Sequence, residues 1–171
     1  MEIEKKFLLR EMPEHLESRE KRELEQGYLC VRPTVRIRKS DEAYILTYKG
    51  KQGTEDIALD AQVSQELEMP LTEEAYLHMR KKVDGHLIAK TRYLIPLPDG
   101  HIGELDVFHG RLEGLRLIEV EFGSPEDARN FQPPSWFGEN VSKDERYTNS
   151  HLAFCEDLSV FGASSNDCIS I

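Results

Sequence analysis

The sequence predicts a mainly β (α+β) fold in which about eight antiparallel strands each carry one charged face and one apolar face. Three observations support this prediction: charged and apolar residues alternate in seven segments, turn residues separate these segments, and helix start signals are few. The 171 residues are enough for one domain with a hydrophobic core. We therefore expect one domain over residues 1–161 and a flexible tail over residues 162–171.

The seven alternating segments place their charged residues two positions apart, and therefore on one face of each strand. In the first segment Glu2, Glu4 and Lys6 share a face, whereas Ile3 and Phe7 lie on the other. The remaining charged positions, taken in chain order, are Arg36 and Arg38, Lys49, Glu66 and Glu68, Lys90 and Arg92, Glu104 and Asp106, and Glu119 and Glu121. A stretch from about Glu23 to Val31 is predicted as an eighth strand.

Turn and helix signals lie between the strands. Turn residues predict connections at residues 39–42, 50–53, 98–100 and 111–114. Thr72 and Ser124 are predicted N-caps of two helices, each followed by acidic residues in the first turn. Apolar spacing predicts a third helix over residues 149–160, and a short helix is expected over residues 13–22.

Two architectures fit these two-faced strands. In a sandwich, the charged faces point to water and the apolar faces form the core. In a closed barrel, the charged faces line the interior and helices cover the apolar exterior. Periodicity alone favours the sandwich, but solvent-exposed faces usually mix the two signs of charge. Here most strands carry a single sign, which favours a charged interior.

The paired charges have a chemistry that suits a polyphosphate. Residues two apart on a strand lie about 6.6 Å from each other. Two carboxylates at this spacing, with a partner from a neighbouring strand, can bind Mg²⁺ or Mn²⁺, which prefer oxygen ligands. Two guanidinium groups at the same spacing can bind separate phosphoryl groups through bidentate hydrogen bonds.

Seven motifs, in order, resemble those of the CYTH superfamily, also called triphosphate tunnel metalloenzymes. They begin with Glu2-Ile3-Glu4-Lys5-Lys6, which resembles the ExExK signature. The others are Arg36-Ile37-Arg38, Thr47-Tyr48-Lys49-Gly50, Glu66-Leu67-Glu68, Lys90-Thr91-Arg92, Glu104-Leu105-Asp106-Val107-Phe108, and Glu119-Val120-Glu121-Phe122. The segment from Asp144 to Ala153 resembles the C-terminal D-x-RYxN…LA motif. The opening is most similar to that of short bacterial inorganic triphosphatases.

The resemblance implies an eight-stranded antiparallel closed β-barrel, a tunnel with a charged interior and helices packed outside. It implies hydrolysis of a triphosphate, most simply inorganic triphosphate to diphosphate and phosphate, with Mg²⁺ or Mn²⁺ as cofactor. The principal metal ligands would be Glu2, Glu4, Glu119 and Glu121. Candidates for a second metal, or for orienting the basic residues, would be Glu66, Glu68, Glu104 and Asp106.

The resemblance also assigns the basic side chains. Binding of the phosphoryl oxygens would fall to Lys6, Arg36, Arg38, Lys49, Lys90 and Arg92. Lys6 would contact the terminal phosphoryl group or help to activate water, and Tyr28 would pair with Lys6 across strands. The alternatives within the superfamily are nucleoside or thiamine triphosphatases and adenylyl cyclases. An alternative of another class is a non-catalytic module that binds polyphosphate.

Composition limits the partners. The formal net charge of −10 argues against nucleic acid as a partner. No apolar run is long enough for a transmembrane helix, and the N-terminus has no signal-peptide pattern, so we expect a cytoplasmic protein without a membrane partner. Cys30, Cys155 and Cys168 lack the spacing of a disulfide framework or a zinc site. Apolar strand faces left uncovered by helices would favour a homodimer.

Overall fold

The computed structural model describes residues 1–51 and 59–161. The described strands are β1 (Glu2–Leu9), β2 (Glu20–Val31), β3 (Thr34–Ser40), β4 (Ala43–Gly50), β5 (Gln62–Pro70), β6 (Asp84–Pro96), β7 (Ile102–Phe108), β8 (Arg116–Glu121) and β9 (Phe137–Asn140). They form one sheet in the order β5-β4-β3-β2-β6-β7-β8-β1-β9, and every pairing is antiparallel. An additional pairing of β5 with β1 closes eight of these strands into a barrel. The barrel prediction is therefore confirmed.

Strand alternation separates the charged interior from an apolar exterior. Ile3 and Phe7 of β1 point away from the tunnel and pack with Leu105, Ile118 and Val120 of the neighbouring strands in a buried core. Helix α2 (Pro125–Asn130) contacts β1 on this side, and Ala128, Phe131 and Phe137 belong to the same core. The hydrophobic core thus lies mainly outside the barrel wall, as a barrel with a polar interior requires.

The two predicted N-caps are confirmed. Thr72 precedes α1 (Glu73–Arg80), and its hydroxyl accepts a hydrogen bond of 3.1 Å from the backbone N–H of Ala75. Ser124 precedes α2 and accepts from the backbone N–H of Asp127 at 3.1 Å. Each cap satisfies a backbone donor that the first helical turn leaves unpaired.

Two local expectations need correction. The helix expected over residues 149–160 is interrupted: α3 spans only Asn149–Leu152, and a 3₁₀ helix spans Leu158–Phe161. The Asp157 side chain accepts a hydrogen bond from the backbone N–H of Ser159 at 2.8 Å, which starts a separate turn. The helix expected over residues 13–22 is a single 3₁₀ turn at Leu16–Ser18.

Tertiary pairing explains the short N-terminal turn and the additional strand. β2 begins at Glu20 because residues 20–23 pair with residues 91–94 of β6. Strand β9 was not predicted, since four residues are too few for an alternating pattern; it pairs with Phe7 and Leu9 of β1. Two further 3₁₀ helices are described, Gly110–Leu112 at a predicted turn and Glu145–Tyr147 after β9.

Some sequence predictions fall outside the described residues. Residues 52–58, which include the second half of the turn predicted at 50–53, are not described. The predicted tail at 162–171, with Cys168, is not described either. Across residues 1–51 and 59–161, no helix is both long and apolar enough to cross a membrane.

Candidate active site

The cross-strand register brings every charged residue predicted for the site onto the inner face of the barrel. Glu4 lies opposite Glu121, and Lys6 lies opposite Glu119, on the β1–β8 ladder. On the other side of β1, where β5 pairs with it, Lys49 of β4 lies opposite Glu66 of β5. Because the sheet closes, these faces surround one tunnel. Separate strand motifs therefore meet in a single site.

Lys49 neutralises the acids at one part of the wall. Its ammonium forms an ion pair with Glu2 and lies 3.5 Å from Glu4 Oε1 and 3.7 Å from Glu66 Oε2. These three carboxylates raise the pKa of Lys49 although burial opposes its charge. Ser64 also donates its hydroxyl to Glu2 Oε2 at 3.2 Å. The Lys49 ammonium therefore lies among three carboxylates, which would also attract a divalent cation.

A second ion-pair network joins β6, β7 and β8. Lys90 Nζ lies 2.5 Å from Asp106 Oδ2, and Arg92 forms a bidentate pair with Asp106 at 2.7 and 2.8 Å. Arg92 also pairs with Glu104 and lies 3.2 Å from Glu119 Oε2. Burial lowers the pKa of Lys90 to about 8, although Asp106 partly opposes the shift.

The basic pair of β3 lies on the other side of the tunnel. Arg38 pairs with Glu68 at 3.0 Å, and Thr47 donates its hydroxyl to the same carboxylate at 3.3 Å. Arg36 donates to the Thr47 hydroxyl at 3.3 Å and lies opposite Tyr28 in the β2–β3 ladder. The acids of the tunnel are thus partners of Lys6, Arg38, Lys49, Lys90 and Arg92.

The C-terminal segment closes one end of the barrel. Lys6 Nζ donates to the backbone carbonyl of Tyr147 at 3.1 Å, and Lys90 Nζ donates to Asn149 Oδ1 at 3.4 Å. Below these contacts is an apolar layer that includes Leu8, Tyr28, Ile88, Phe108, Leu117, Tyr147 and Leu152. The C-terminal segment therefore packs across one end of the tunnel.

Lys6 and Tyr28 both lie at this closed end. Lys6 Nζ pairs with Glu119 Oε1 at 3.0 Å, and Glu119 and Glu4 raise the pKa of Lys6 despite its burial. Burial raises the pKa of Tyr28, so its phenol stays neutral, although the charges of Arg36 and Lys6 oppose the shift. The described partners of the Lys6 ammonium are Glu119 and the backbone carbonyl of Tyr147. The pairing of Lys6 with Tyr28 therefore stays a prediction.

The carboxylates of the tunnel differ in their affinity for protons. Burial and the neighbouring Glu119 raise the pKa of Glu4. Burial and Glu2 raise the pKa of Glu66 to about 7. Burial also acts on Glu119, but Lys6 and Arg92 outweigh it and hold the pKa of Glu119 well below its usual range. The part of the wall around Glu4 and Glu66 thus has excess negative charge, whereas Lys6 and Arg92 neutralise the charge of Glu119.

The acidic wall has the donor chemistry of a site for Mg²⁺ or Mn²⁺. Glu2, Glu4 and Glu121 offer oxygen ligands. Burial, and after it repulsion from Glu119, raises the pKa of Glu4, and a divalent cation would offset both effects. Within the described part of the chain, however, no three acidic, histidine or cysteine side chains already converge as a metal site. Metal binding would therefore require the carboxylates now paired with Lys49 to turn.

Sequence reasoning missed the neutral partners in the tunnel. Thr47, Ser64 and Asn149 hydrogen-bond the charged residues, and Gln26 and Leu24 complete the wall of β2. Thr47 and Asn149 belong to quoted motifs, so the motifs were a usable signal for these two. Ser64 and Gln26 carry no charge and stand in no motif, and only the strand register reveals them.

Comparison with known proteins supports one family. The chain is 39% identical over 159 residues to an inorganic triphosphatase of Nitrosomonas europaea, covering 89% of this chain and 96% of that protein. It is 32% identical over 154 residues to an inorganic triphosphatase of Acetivibrio thermocellus, covering 88% and 92%. No protein-family model matches the chain.

Solved structures agree with this result. A crystal structure of an inorganic triphosphatase superimposes with a TM-score of 0.65 at 37% identity, covering 91% of this chain and 95% of that chain. A Hippeastrum protein, named as an adenylyl cyclase with dominant triphosphatase activity, shares the fold with a TM-score of 0.56 at 16% identity, covering 75% and 83%. The chain therefore belongs to the inorganic triphosphatase family, of the CYTH type that its motifs resemble.

Proposed function

We propose that the protein is a hydrolase that cleaves inorganic triphosphate into diphosphate and phosphate inside its tunnel. The observation that carries this proposal is the 39% identity to a relative named an inorganic triphosphatase, over 89% of this chain and 96% of that relative. The ring of basic side chains in the closed barrel supports it, since such side chains can bind each phosphoryl group of a short polyanion.

Substrate binding exchanges partners within the tunnel. Arg38 and Lys49 release carboxylates, Arg36 releases the Thr47 hydroxyl, and all three bind phosphoryl oxygens, while Lys90 and Arg92 stay fixed by Asp106 and neutralise charge from the wall. Preformed positive groups of this kind stabilise the charge that develops in phosphoryl transfer without reorganisation during the reaction. The closed end limits the tunnel to a compact substrate.

The proposed cofactor is Mg²⁺ or Mn²⁺. Glu2, Glu4, Glu119 and Glu121 would hold it, with Glu66, Glu68, Glu104 and Asp106 as ligands of a second ion or as partners that orient the basic residues. A bound divalent cation supplies charge neutralisation at the phosphoryl oxygens and lowers the pKa of bound water. The excess negative charge around Glu4 supports this role.

The state of Lys6 and Glu66 suggests how water is activated. Lys6 is held in its protonated form by Glu119, so it suits contact with the terminal phosphoryl group and not proton abstraction. Tyr28 is a neutral phenol that can donate a hydrogen bond beside Lys6. Glu66, whose pKa is about 7, matches the operating pH expected of a general base. Water attacks the terminal phosphorus in line, and diphosphate is the leaving group.

We also propose that the protein is cytoplasmic and does not bind nucleic acid or membranes. The net charge of −10 disfavours nucleic acid and anionic lipid surfaces. Cys30 and Cys155 are free thiols, as is usual in a reducing compartment.

The outer faces of β4 and β5 expose Tyr48, Leu67 and Met69, which supports a homodimer. Light scattering of the purified protein measures the oligomeric state.

Phosphate release tests the proposed function. Inorganic triphosphate, ATP and diphosphate are supplied separately with Mg²⁺, Mn²⁺ or EDTA. We expect release mainly from inorganic triphosphate, abolished by EDTA and by Glu4→Gln, and unaffected by Glu74→Gln on the exposed face of α1. Release mainly from ATP would move the substrate to nucleotides. Binding of triphosphate without release, unchanged by EDTA, would replace the enzyme with a polyphosphate-binding module.

A further inference from the structure

Gln26 is a buried polar residue of the tunnel wall to which neither the motifs nor the proposed reaction gives a role. It lies in β2, directly opposite Arg38 of β3 and Ile88 of β6. Alternation along β2 puts it on the same inner face as Leu24 and Tyr28. The residue is 0% exposed.

The Gln26 amide is left without hydrogen-bond partners. Neither Oε1 nor Nε2 forms a hydrogen bond with any described residue, and both atoms are shielded from solvent. The Nε atoms of Arg36 and Arg38 are in the same condition. Unpaired buried polar groups are costly and rare in native proteins. These three side chains lie on the β2–β3 ladder, with Gln26 opposite Arg38 and Arg36 two residues along β3, and together they indicate a binding partner.

The balance of donors and acceptors identifies the chemistry of that partner. The amide nitrogen has two N–H groups and each guanidinium Nε has one, whereas the only unpaired acceptor is the amide oxygen. This balance does not depend on which way the amide is turned. Water would bring further donors, and a metal cation would add positive charge. A group that only accepts hydrogen bonds, such as a phosphoryl oxygen, satisfies the set.

We propose that Gln26 is a substrate-contacting residue, whose amide N–H donates to a phosphoryl oxygen held between Arg36 and Arg38. This inference rests on the proposed function, because it takes triphosphate as the ligand. The amide oxygen accepts from the Nε of Arg38 when that guanidinium turns its outer N–H groups toward the ligand. A glutamine at this position provides a neutral, directional hydrogen-bond donor and does not change the charge of the tunnel.

A substitution by methionine separates this role from a structural one. Gln26→Met keeps a long unbranched side chain of similar volume but removes the donor and the acceptor. Loss of a hydrogen bond to a charged oxygen should raise KM for inorganic triphosphate about 10-fold to 100-fold. The ligand-free protein should melt at the same or a higher temperature, because an unpaired buried amide is removed. A residue needed only for packing would not give this combination.

The experiment compares wild type, Gln26→Met, Gln26→Glu and the control Gln65→Met, which makes the same change at an exposed position of β5. Two quantities are measured with Mg²⁺ present: KM and kcat for inorganic triphosphate, and the thermal stabilisation that inorganic triphosphate causes. We expect weaker binding in Gln26→Met, still weaker binding in Gln26→Glu because its carboxylate repels the substrate, and no change in Gln65→Met.

The outcomes distinguish the two proposals. An active wild type with an unchanged KM in Gln26→Met would overturn the role of Gln26 and leave the proposed function intact. If the wild type were inactive, and triphosphate stabilised the wild type but not Gln26→Met, the hydrolytic function would be overturned and the contact retained. If triphosphate neither stabilised the wild type nor was hydrolysed by it, both the proposed function and the role of Gln26 would be overturned.

Discussion

Lys90 and Asp106 form an ion pair in which each side chain is only 1% exposed, with Nζ 2.5 Å from Oδ2. The pair crosses from β6 to β7, and Asp106 also accepts two hydrogen bonds from Arg92. One carboxylate therefore compensates two buried cations. Such an arrangement makes Asp106 a structural centre of the tunnel wall, whichever ligand the tunnel holds.

Replacing this carboxylate should destabilise the fold. Asp106→Asn leaves the buried Lys90 without its ion-pair partner and removes one of the three carboxylates that pair with Arg92, and removing one member of a buried pair typically costs about 3–5 kcal/mol. Urea unfolding of wild type and variant measures the loss. Glu20→Gln, which removes an exposed partner of Arg22, is the matched control and should cost less than about 1 kcal/mol. Equal effects at the two sites would contradict the prediction.

A glycine in β2 controls how closely the barrel approaches the start of β6. A Cβ atom at Gly27 would lie 2.6 Å from Val83 Cγ1 and 2.9 Å from Leu87 Cδ2. Gly27→Ala should therefore force a shift and reduce the free energy of unfolding by about 1–3 kcal/mol. Chemical denaturation measures this change. Gly123→Ala, where a Cβ would meet no atom within 4 Å, should leave the stability nearly unchanged.

The barrel could be predicted because alternation and single-sign strands are local properties of the sequence. Glu2, Glu4 and Lys6 show their shared face without any tertiary information. What the sequence does not contain is the partner across each ladder, such as Glu119 for Lys6, since register is set by closure of the whole sheet. The family motifs supplied the candidate site residues, whose roles stay predictions, but not their ion pairs.

The rest was unpredictable for physical reasons that differ by region. Strand β9 pairs through a few backbone groups and carries no periodic pattern. The separate 3₁₀ turn after α3 starts where the Asp157 carboxylate accepts a hydrogen bond from the backbone N–H of Ser159, which propensity does not reveal. Closure of the tunnel by Tyr147 and Asn149 joins residues more than 50 positions apart from Lys6 and Lys90, so it follows only from the assembled fold.

Packing of the closed end should contribute strongly to stability. Leu152 of α3 is 0% exposed within the apolar layer below the site. Leu152→Ala removes buried methyl groups and leaves a cavity, at a cost of about 2–5 kcal/mol. Phe154→Ala, two residues further on and 52% exposed, should cost much less. Thermal and urea unfolding of both variants measure the difference, and similar losses would show that α3 does not seal the barrel.

The stability contributed by His101 should depend on pH. Its Nε2 lies 3.2 Å from Asp127, and its Nδ1 lies 2.9 Å from Asp99. Burial opposes protonation, but these two carboxylates outweigh it and raise the pKa of His101 above its ordinary value. The folded state therefore binds the proton more tightly than the unfolded chain, so the stabilisation is complete below about pH 6.5 and is lost as pH rises through the folded pKa. His101→Gln should consequently destabilise the protein more at pH 5.5 than at pH 8.5, as measured by urea unfolding at both values. His15→Gln, at an exposed position, should give the same small difference at each pH. A His101→Gln effect that grew with rising pH would reverse the sign of the linkage and contradict the proposed pairing with Asp99 and Asp127.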